Sequence, residues 1–288
     1  MKVEDFLELH KGRVNDYLDT FLLEETVKPE SIHKAIRYSV FSGGKRFRAA
    51  LCIAASEVFG GDTDRALPVA AGIELIHTYS LIHDDLPCMD DDDLRRGKPT
   101  LHRVAGENIA VLAGDALNAL SFHLVSLADD CRIIRVLAEA IGTLGMIGGQ
   151  VADIESCGKE SIGPDDVQFI HTRKTAALIR ASLEMGALVA GASEDRLEKV
   201  REFGSLIGLA FQVVDDILDI ESSNEVLGKD VGSDELLDKA TYPKVFGLEQ
   251  SKAVARTLIE DGQKALSSID NDTEILSDLA QFVVERVY

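Results

Sequence analysis

The chain has 288 residues, 45% of them apolar and 28% charged, with a formal net charge of -20 and a pI near 4.7. There is ample apolar surface to bury, which excludes a disordered polymer, and the missing basic face argues against nucleic-acid binding. The acidity also makes an anionic substrate awkward unless metal ions or local Arg and Lys offset it.

The N-terminal stretch "MKVEDFLELH" is charged and lacks the apolar core of a signal peptide. No uninterrupted apolar run reaches the roughly 18 residues of a spanning helix, so no transmembrane segment is expected. Cys52, Cys88, Cys131 and Cys157 are scattered, with no CxxC pair, and read as thiols of a reducing compartment. A cytosolic setting follows, with any membrane contact peripheral.

Apolar residues recur at three- and four-residue spacing along the chain. Leu7, Val14, Leu18, Phe21 and Leu22 form one stripe; Leu178, Leu183, Ala187 and Leu188 contribute to another; Phe203, Ile207, Ala210, Phe211, Val214 and Leu218 form a third. Pro29, Pro68, Pro99 and Pro164 fall near segment starts and Pro87 near a segment end. Period-two alternation and Asn-Gly or Asp-Gly hairpin signals are nearly absent. The pattern predicts an all-α fold in a single domain spanning residues 1–288. Ala66–Ile82 and Leu206–Ile220 are apolar nearly all round and belong in the middle of a helical bundle. The Gly-rich piece Ile141–Gln150 lowers helix propensity but permits close backbone approach, and Ser222–Asp234 is the best candidate for a mobile loop.

Each of the two most apolar segments ends in aspartates: Asp84-Asp85-x-x-x-x-Asp90 and Asp215-Asp216-Ile217-Leu218-Asp219. Asp215 and Asp219, four apart, share a helix face, which costs about 0.2–0.5 kcal/mol on an exposed helix and more where water screens less. Asp84 and Asp85 sit near a helix C-terminus, the negative end of its dipole. Six residues of ideal helix would rotate Asp90 about 120° from Asp84, so a break at Pro87 is needed to swing it back. One such run is a solvated acidic cap; two on core-type helices are poor for stability unless cations sit between them. Oxygen-only ligands, with no His or Cys at metal spacing, suit Mg²⁺ sharing its shell with water and substrate phosphates. Nearby cations are Gly43-Gly44-Lys45-Arg46-Phe47-Arg48, Arg95-Arg96, Lys174-Thr175, Lys229 and Lys239. Salt bridging within the loop and diphosphate binding both account for Arg95-Arg96.

Taken together, "GGKRFR", "DDLPCMD" with "RRGKPTLH", "KT" and "FQVVDDILD" resemble the trans-polyprenyl diphosphate synthases, in the family's order and over nearly the whole chain. The spacing of the first motif is similar to that of bacterial farnesyl diphosphate synthases. The resemblance implies an all-α isoprenoid-synthase bundle around a central cavity, usually as a homodimer. It also implies three Mg²⁺, with Mn²⁺ as the alternative, held by Asp84, Asp90 and Asp215 and supported by Asp85 and Asp219. Arg95, Lys174 and Lys229 would bind the allylic diphosphate, and Lys45, Arg48, His77 and Arg96 isopentenyl diphosphate. Thr175 and Gln212 would flank the reacting carbons. One departure is Ala49, where many members have proline.

The implied chemistry is head-to-tail condensation through an allylic carbocation, with metal and basic residues stabilising the departing diphosphate and an apolar cavity excluding water. His83 reads as a supporting or core residue rather than a catalytic one. Tyr79 lies five residues before Asp84, about 7.5 Å down the helix, with Ser80 beside it. An aromatic there resembles synthases that stop at fifteen carbons, so farnesyl diphosphate is the expected product, and geranyl or geranylgeranyl diphosphate the alternatives. A terpene cyclase needs no isopentenyl diphosphate site, and a non-catalytic partner subunit should have lost aspartates.

Overall fold

A computed structural model describes residues 1–159, 162–221 and 239–285. The chain folds as helices α1 (Val3–Phe21), α2 (Glu30–Val40), α3 (Phe47–Val58), α4 (Thr63–Asp84), α5 (Leu101–Ala105), α6 (Glu107–Ser126), α7 (Cys131–Ile141), α8 (Met146–Ser156), α9 (Pro164–Lys174), α10 (Ala176–Val189) and α11 (Glu194–Glu221), then α12 (Tyr242–Phe246), α13 (Leu248–Leu266) and α14 (Glu274–Glu285). The expected loop at Ser222–Asp234 lies outside the described residues. Between α4 and α5 the chain adds a short antiparallel ladder, Leu94–Arg95 with Lys98–Pro99. Its turn residues, Arg96 and Gly97, both have positive φ, the geometry that matches strand twist in a two-residue loop. This hairpin carries no Asn-Gly or Asp-Gly signal, which is why the sequence does not announce it.

One apolar core runs from Phe6 to Val284. α4 is buried on every side from Val69 to Ile76, as its composition predicts, while His77, Tyr79, Ser80 and Leu81 nearer its end are only partly buried. α3 and α10 are equally central: α3 packs on α4 and α10, and α10 packs on α11. In α10 nearly every residue from Ala176 to Leu188 is buried, not one stripe of it. Alanine and glycine provide the room. At Gly186 a Cβ would lie 2.0 Å from the Cys52 carbonyl oxygen of α3, so these helices touch backbone to backbone.

The start of α3 is tied to α4 by a buried acid. Glu74, 3% exposed, accepts the Ala49 backbone N–H at 3.2 Å and pairs with the buried Arg46 guanidinium at 3.4 Å. Alanine at position 49 therefore supplies an N–H that proline lacks. Arg46 is thereby committed to the core, and Arg48, two residues on, is left to reach the cavity described below. α6 is long and apolar enough, by length and composition, to cross a membrane, but it packs along α4 as part of the bundle.

Gly186→Ala is expected to destabilise the protein by about 1–3 kcal/mol, the usual cost of overpacking a site that cannot relax. Denaturant unfolding monitored by far-UV circular dichroism measures it; an unchanged midpoint would show that α3 and α10 can separate freely.

Candidate active site

The first aspartate cluster is shaped by how α4 ends. Beyond Asp84 the chain leaves the helix through a tight series of turns in which Leu86 donates to His83 O and Met89 to Leu86 O. The Asp90 backbone N–H then donates to the Asp84 carbonyl at 2.9 Å. Pro87 sits in these turns, and Asp90 comes back beside Asp84 instead of following the helical rotation. The side chains of Asp84 and Asp90 line one cavity. Asp85 points elsewhere: its Oδ1 accepts from Arg95 Nε at 2.6 Å, and Asp92 Oδ2 lies 3.1 Å from the same guanidinium.

α11 brings one member of the second cluster to the same cavity. Asp215 and Gln212 line the same cavity as Asp84 and Asp90. Asp216 and Asp219 are buried and do not line it. Asp216 Oδ1 accepts from Gln212 Nε2 at 2.9 Å, and Oδ2 accepts the Tyr242 backbone N–H at 2.9 Å. Gln212 Oε1 in turn accepts the Thr175 hydroxyl.

Thr175 sits at the junction of α9 and α10, where φ and ψ are -116° and -52°. The junction presses on α8: a Cβ on Gly149 would lie 2.3 Å from the Lys174 backbone nitrogen. The Gly-rich segment thus provides the close approach its composition allows, and it sets Lys174 at the cavity wall. Lys174 Nζ is 2.6 Å from Asp153 Oδ2. Burial alone would lower the ammonium pKa, but Asp153, Asp84 and Asp90 outweigh it and raise it, so the lysine stays charged.

Lys239 Nζ reaches Asp90 Oδ2 at 2.9 Å, joining the C-terminal segment to the first motif. Arg48 stands over the Phe211 ring at 5.7 Å, its Nε buried without a hydrogen-bond partner among the described residues. Burial lowers the Arg48 pKa, against the opposing pull of Glu74 and Asp215. Burial, then Arg48, Arg96, Arg95 and Arg46, push the His77 imidazole well below its ordinary value. On the acidic side, burial raises Asp84, with Lys174 opposing it and Asp90 adding to it. Burial also raises Asp85, to about 6, despite Arg95.

The cavity encloses about 640 Å³. Asp84, Asp90, Asp92, Asp215, Arg48, Arg95, Lys174 and Lys239 supply its charges. Leu81, Leu86, Val111, Met146, Ile147, Val151, Ile154 and Leu178 supply apolar wall, and Tyr79, Ser80, His77 and Thr175 also face it. Four sequence candidates do not line it. Asp85 and Asp219 are buried to the side, Lys45 stands 4.7 Å over the Phe282 ring, and Arg96 lies across Gly44 and donates to the Gly43 carbonyl. Lys229 lies outside the described residues. Lys239, one of the cations expected beside the aspartates, does meet Asp90, whereas nothing in the sequence singles out Asp153 or Gln150, and Asp216 is marked there only as a member of the second cluster. Asp216 was accessible in principle, since it follows Gln212 by four residues and shares its helix face. Asp153 has no such signal, because only the fold places it against Lys174.

The anionic groups facing the cavity are the carboxylates of Asp84, Asp90, Asp92 and Asp215, which suit a hard divalent cation, and His77, His83 and Cys88 line the cavity as well. Among the described residues no group of three or more side chains is close enough to hold a metal ion by itself. Metal binding here would therefore share its shell with ligand oxygens and water. Arg48 Nε and Gln150 Nε2 are buried donors without a partner among the described residues, and both side chains line the cavity, which suits an anion.

An all-α bundle whose cavity carries carboxylates and basic groups beside apolar side chains has the lining that an amphiphilic phosphate would need. The polyprenyl synthetase family model matches residues 29–278, and the chain belongs to that family: it is a prenyltransferase with the isoprenoid-synthase fold. It is 50% identical over 283 residues to geranylgeranyl pyrophosphate synthase 7, chloroplastic, of Arabidopsis thaliana, covering 95% of this chain and 81% of that one. A Catharanthus roseus geranylgeranyl pyrophosphate synthase, chloroplastic, is 48% identical over 93% of this chain and 76% of its own. Among solved structures, an FPP/GFPP synthase from Zymomonas mobilis matches with a TM-score of 0.88 and 33% identity, over 98% of both chains. A geranyltransferase from Helicobacter pylori, complexed with magnesium and isoprenyl diphosphate, matches with a TM-score of 0.84 and 33% identity, over 100% of this chain and 98% of its own. These relatives correct the cytosolic expectation, since the plant proteins are chloroplastic. Free thiols mark a reducing environment without saying which compartment supplies it.

His171 generates a pH prediction. It is buried against Asp216, with Nε2 3.4 Å from Oδ2, and burial lowers its pKa to about 3. An unfolded chain protonates it near 6.5, so it contributes stability that is full above about pH 6.5 and lost as pH falls toward 3. His171→Phe is expected to flatten that acid-side loss in urea titrations between pH 6.5 and 4. An imidazole proton uptake for His171 seen by NMR above pH 5 would contradict it.

Proposed function

We propose that this protein elongates allylic diphosphates with isopentenyl diphosphate and releases geranylgeranyl diphosphate, in place of the farnesyl product expected from Tyr79. The observation that carries the reading is one cavity lined by Asp84, Asp90 and Asp215, by Lys174 and Arg95, and by a set of apolar side chains. The relatives named above as geranylgeranyl pyrophosphate synthases support the twenty-carbon product. The apolar lining supplied by Val111, Ile147, Val151 and Ile154 from α6 and α8 is consistent with a long chain.

In this reading Asp84, Asp90 and Asp215 hold Mg²⁺, three ions by family resemblance, while Asp85 and Asp219 support them from behind. Mg²⁺ held there would supply positive charge to the departing diphosphate and so assist ionisation. Lys174, Arg95 and Lys229 bind the allylic diphosphate, and Lys174 stays protonated to do so because Asp153 sits beneath it. Arg48, His77, Lys45 and Arg96 bind isopentenyl diphosphate. Arg48 enters this role with an unpaired donor that a phosphate oxygen would satisfy. Thr175 and Gln212 present oxygens to the allylic cation, and the apolar wall, once its exposed Val111, Ile147, Val151 and Ile154 are covered, would keep water from it. We further propose one catalytic domain and a homodimer formed through α6, whose Val111 and Leu112 are exposed.

A second reading, the fifteen-carbon product, is favoured by Tyr79 standing on the cavity wall one turn and a half from Asp84. Incubation with isopentenyl and dimethylallyl diphosphates and Mg²⁺, with products resolved by chromatography, separates the two. The expected result is a twenty-carbon product, abolished by EDTA. Asp84→Asn is expected to lower kcat on the order of 10²–10³-fold, as loss of transition-state charge stabilisation does. A farnesyl end product would favour the second reading, and absence of condensation would overturn both.

The same chromatography tests the wall. Tyr79→Ala is expected to shift products to longer chains, whereas an unaltered distribution would remove Tyr79 from length control.

A further inference from the structure

We propose that Asp216, the middle aspartate of the second motif, is a positioning residue that fixes which way round the Gln212 amide sits. This rests on the reading of Thr175 and Gln212 given above. Asp216 is 3% exposed and does not line the cavity, unlike Asp215 immediately before it. Both of its oxygens are engaged from within the protein: Oδ1 by Gln212 Nε2 at 2.9 Å, and Oδ2 by the Tyr242 backbone N–H at 2.9 Å.

A carboxylate can only accept, whereas a side-chain amide has one accepting end and one donating end. Asp216 therefore takes the donating end of Gln212. The carbonyl end, Oε1, is left facing the Thr175 hydroxyl, which donates to it. With its proton directed at Gln212, the hydroxyl keeps its lone pairs for the cavity, which Thr175 and Gln212 both line. Negative dipole ends held in place before an allylic cation forms stabilise it without reorganisation. With the amide reversed, its N–H₂ would face Thr175, and positive dipole would replace negative at the reacting end. The Tyr242 N–H anchors Asp216 from behind, so it cannot rotate away from Gln212.

The test is a pair of exchanges that move the donor with little change of shape. In Asp216→Asn, the Tyr242 N–H claims the one remaining oxygen and the new N–H₂ meets Gln212 Nε2. The glutamine must reverse, and kcat is expected to fall about ten- to a hundredfold. KM for both diphosphates and the Mg²⁺ concentration for half-activation should stay as in the native protein. In Gln212→Glu two carboxylates face each other, and kcat should also fall. With both substitutions together the total charge is that of the native protein. The carboxylate introduced at position 212 then accepts from the amide introduced at position 216 and from Thr175, and most of the native kcat should return. Asp216→Asn therefore lowers turnover in the native background and raises it in the Gln212→Glu background. If the single Asp216 variant fails to fold, the comparison of Gln212→Glu with the double variant still reads the sign. A raised Mg²⁺ requirement in Asp216→Asn would make Asp216 a metal ligand and overturn the proposal, as would a double variant no better than Gln212→Glu. A native enzyme without turnover would instead remove the function on which the proposal rests.

Discussion

The structure depends on a compromise between buried carboxylates and the few cations available to face them. In a chain with 50 acidic and 30 basic Lys and Arg residues, Asp84, Asp90 and Asp215 gather at one cavity. Gathering like charges where water is scarce is unfavourable, because the interaction grows as the effective dielectric falls. The protein offsets it with its own cations. Lys239 sits on Asp90, Lys174 on Asp153 within the field of Asp84 and Asp90, and Arg95 on Asp85 and Asp92. The compensation is partial, since Asp84 and Asp85 both remain harder to ionise than ordinary carboxylates. That leftover imbalance is what a divalent cation would relieve.

Main-chain geometry, as much as side-chain chemistry, makes this arrangement possible. Asp90 meets Asp84 through a backbone hydrogen bond across the Pro87 turn. Lys174 is set at the cavity because Gly149 lets α8 press on the α9–α10 junction. Arg48 reaches the cavity because Arg46, in a left-handed conformation, is spent on Glu74, Asn15 and Val40 in the core. The adjacent Arg95 and Arg96 diverge because a two-residue turn between paired strands places them on different neighbours, Asp85 and Gly43.

The legible part of the sequence was whatever depends on period and proximity in the chain. The apolar segments at Ala66–Ile82 and Leu206–Ile220, the acidic ends they carry and the need for a break at Pro87 all follow from local spacing. The centrality of α3 and α10 was hidden because alanine and glycine, which give weak hydrophobic periodicity, are what permit the tightest packing. Asp153 was hidden for a different reason: its partner Lys174 is 21 residues away, and neither position carries a mark of the other. Asp85 and Asp219 could not be separated by sequence from their neighbours on the cavity wall, because motif membership does not say which side a carboxylate faces.

Product length lies at the far end of the same geometry. α4 presents Asp84 and Tyr79 to one cavity, five residues apart and therefore about 7.5 Å along the axis. In the proposed reading, the site that ionises a substrate and a wall that its growing tail would meet are carried by one helix, which fixes their separation. Length control by Tyr79 alone would require the ring to close the cavity. Yet the lining includes Val111 from α6 and Ile147, Val151 and Ile154 from α8, helices that carry neither aspartate motif. A resemblance confined to the motif and its flanking aromatic therefore identifies the chemistry more securely than the product, because the aspartate motifs belong to α4 and α11, whereas the wall a tail would meet draws on α4, α6 and α8.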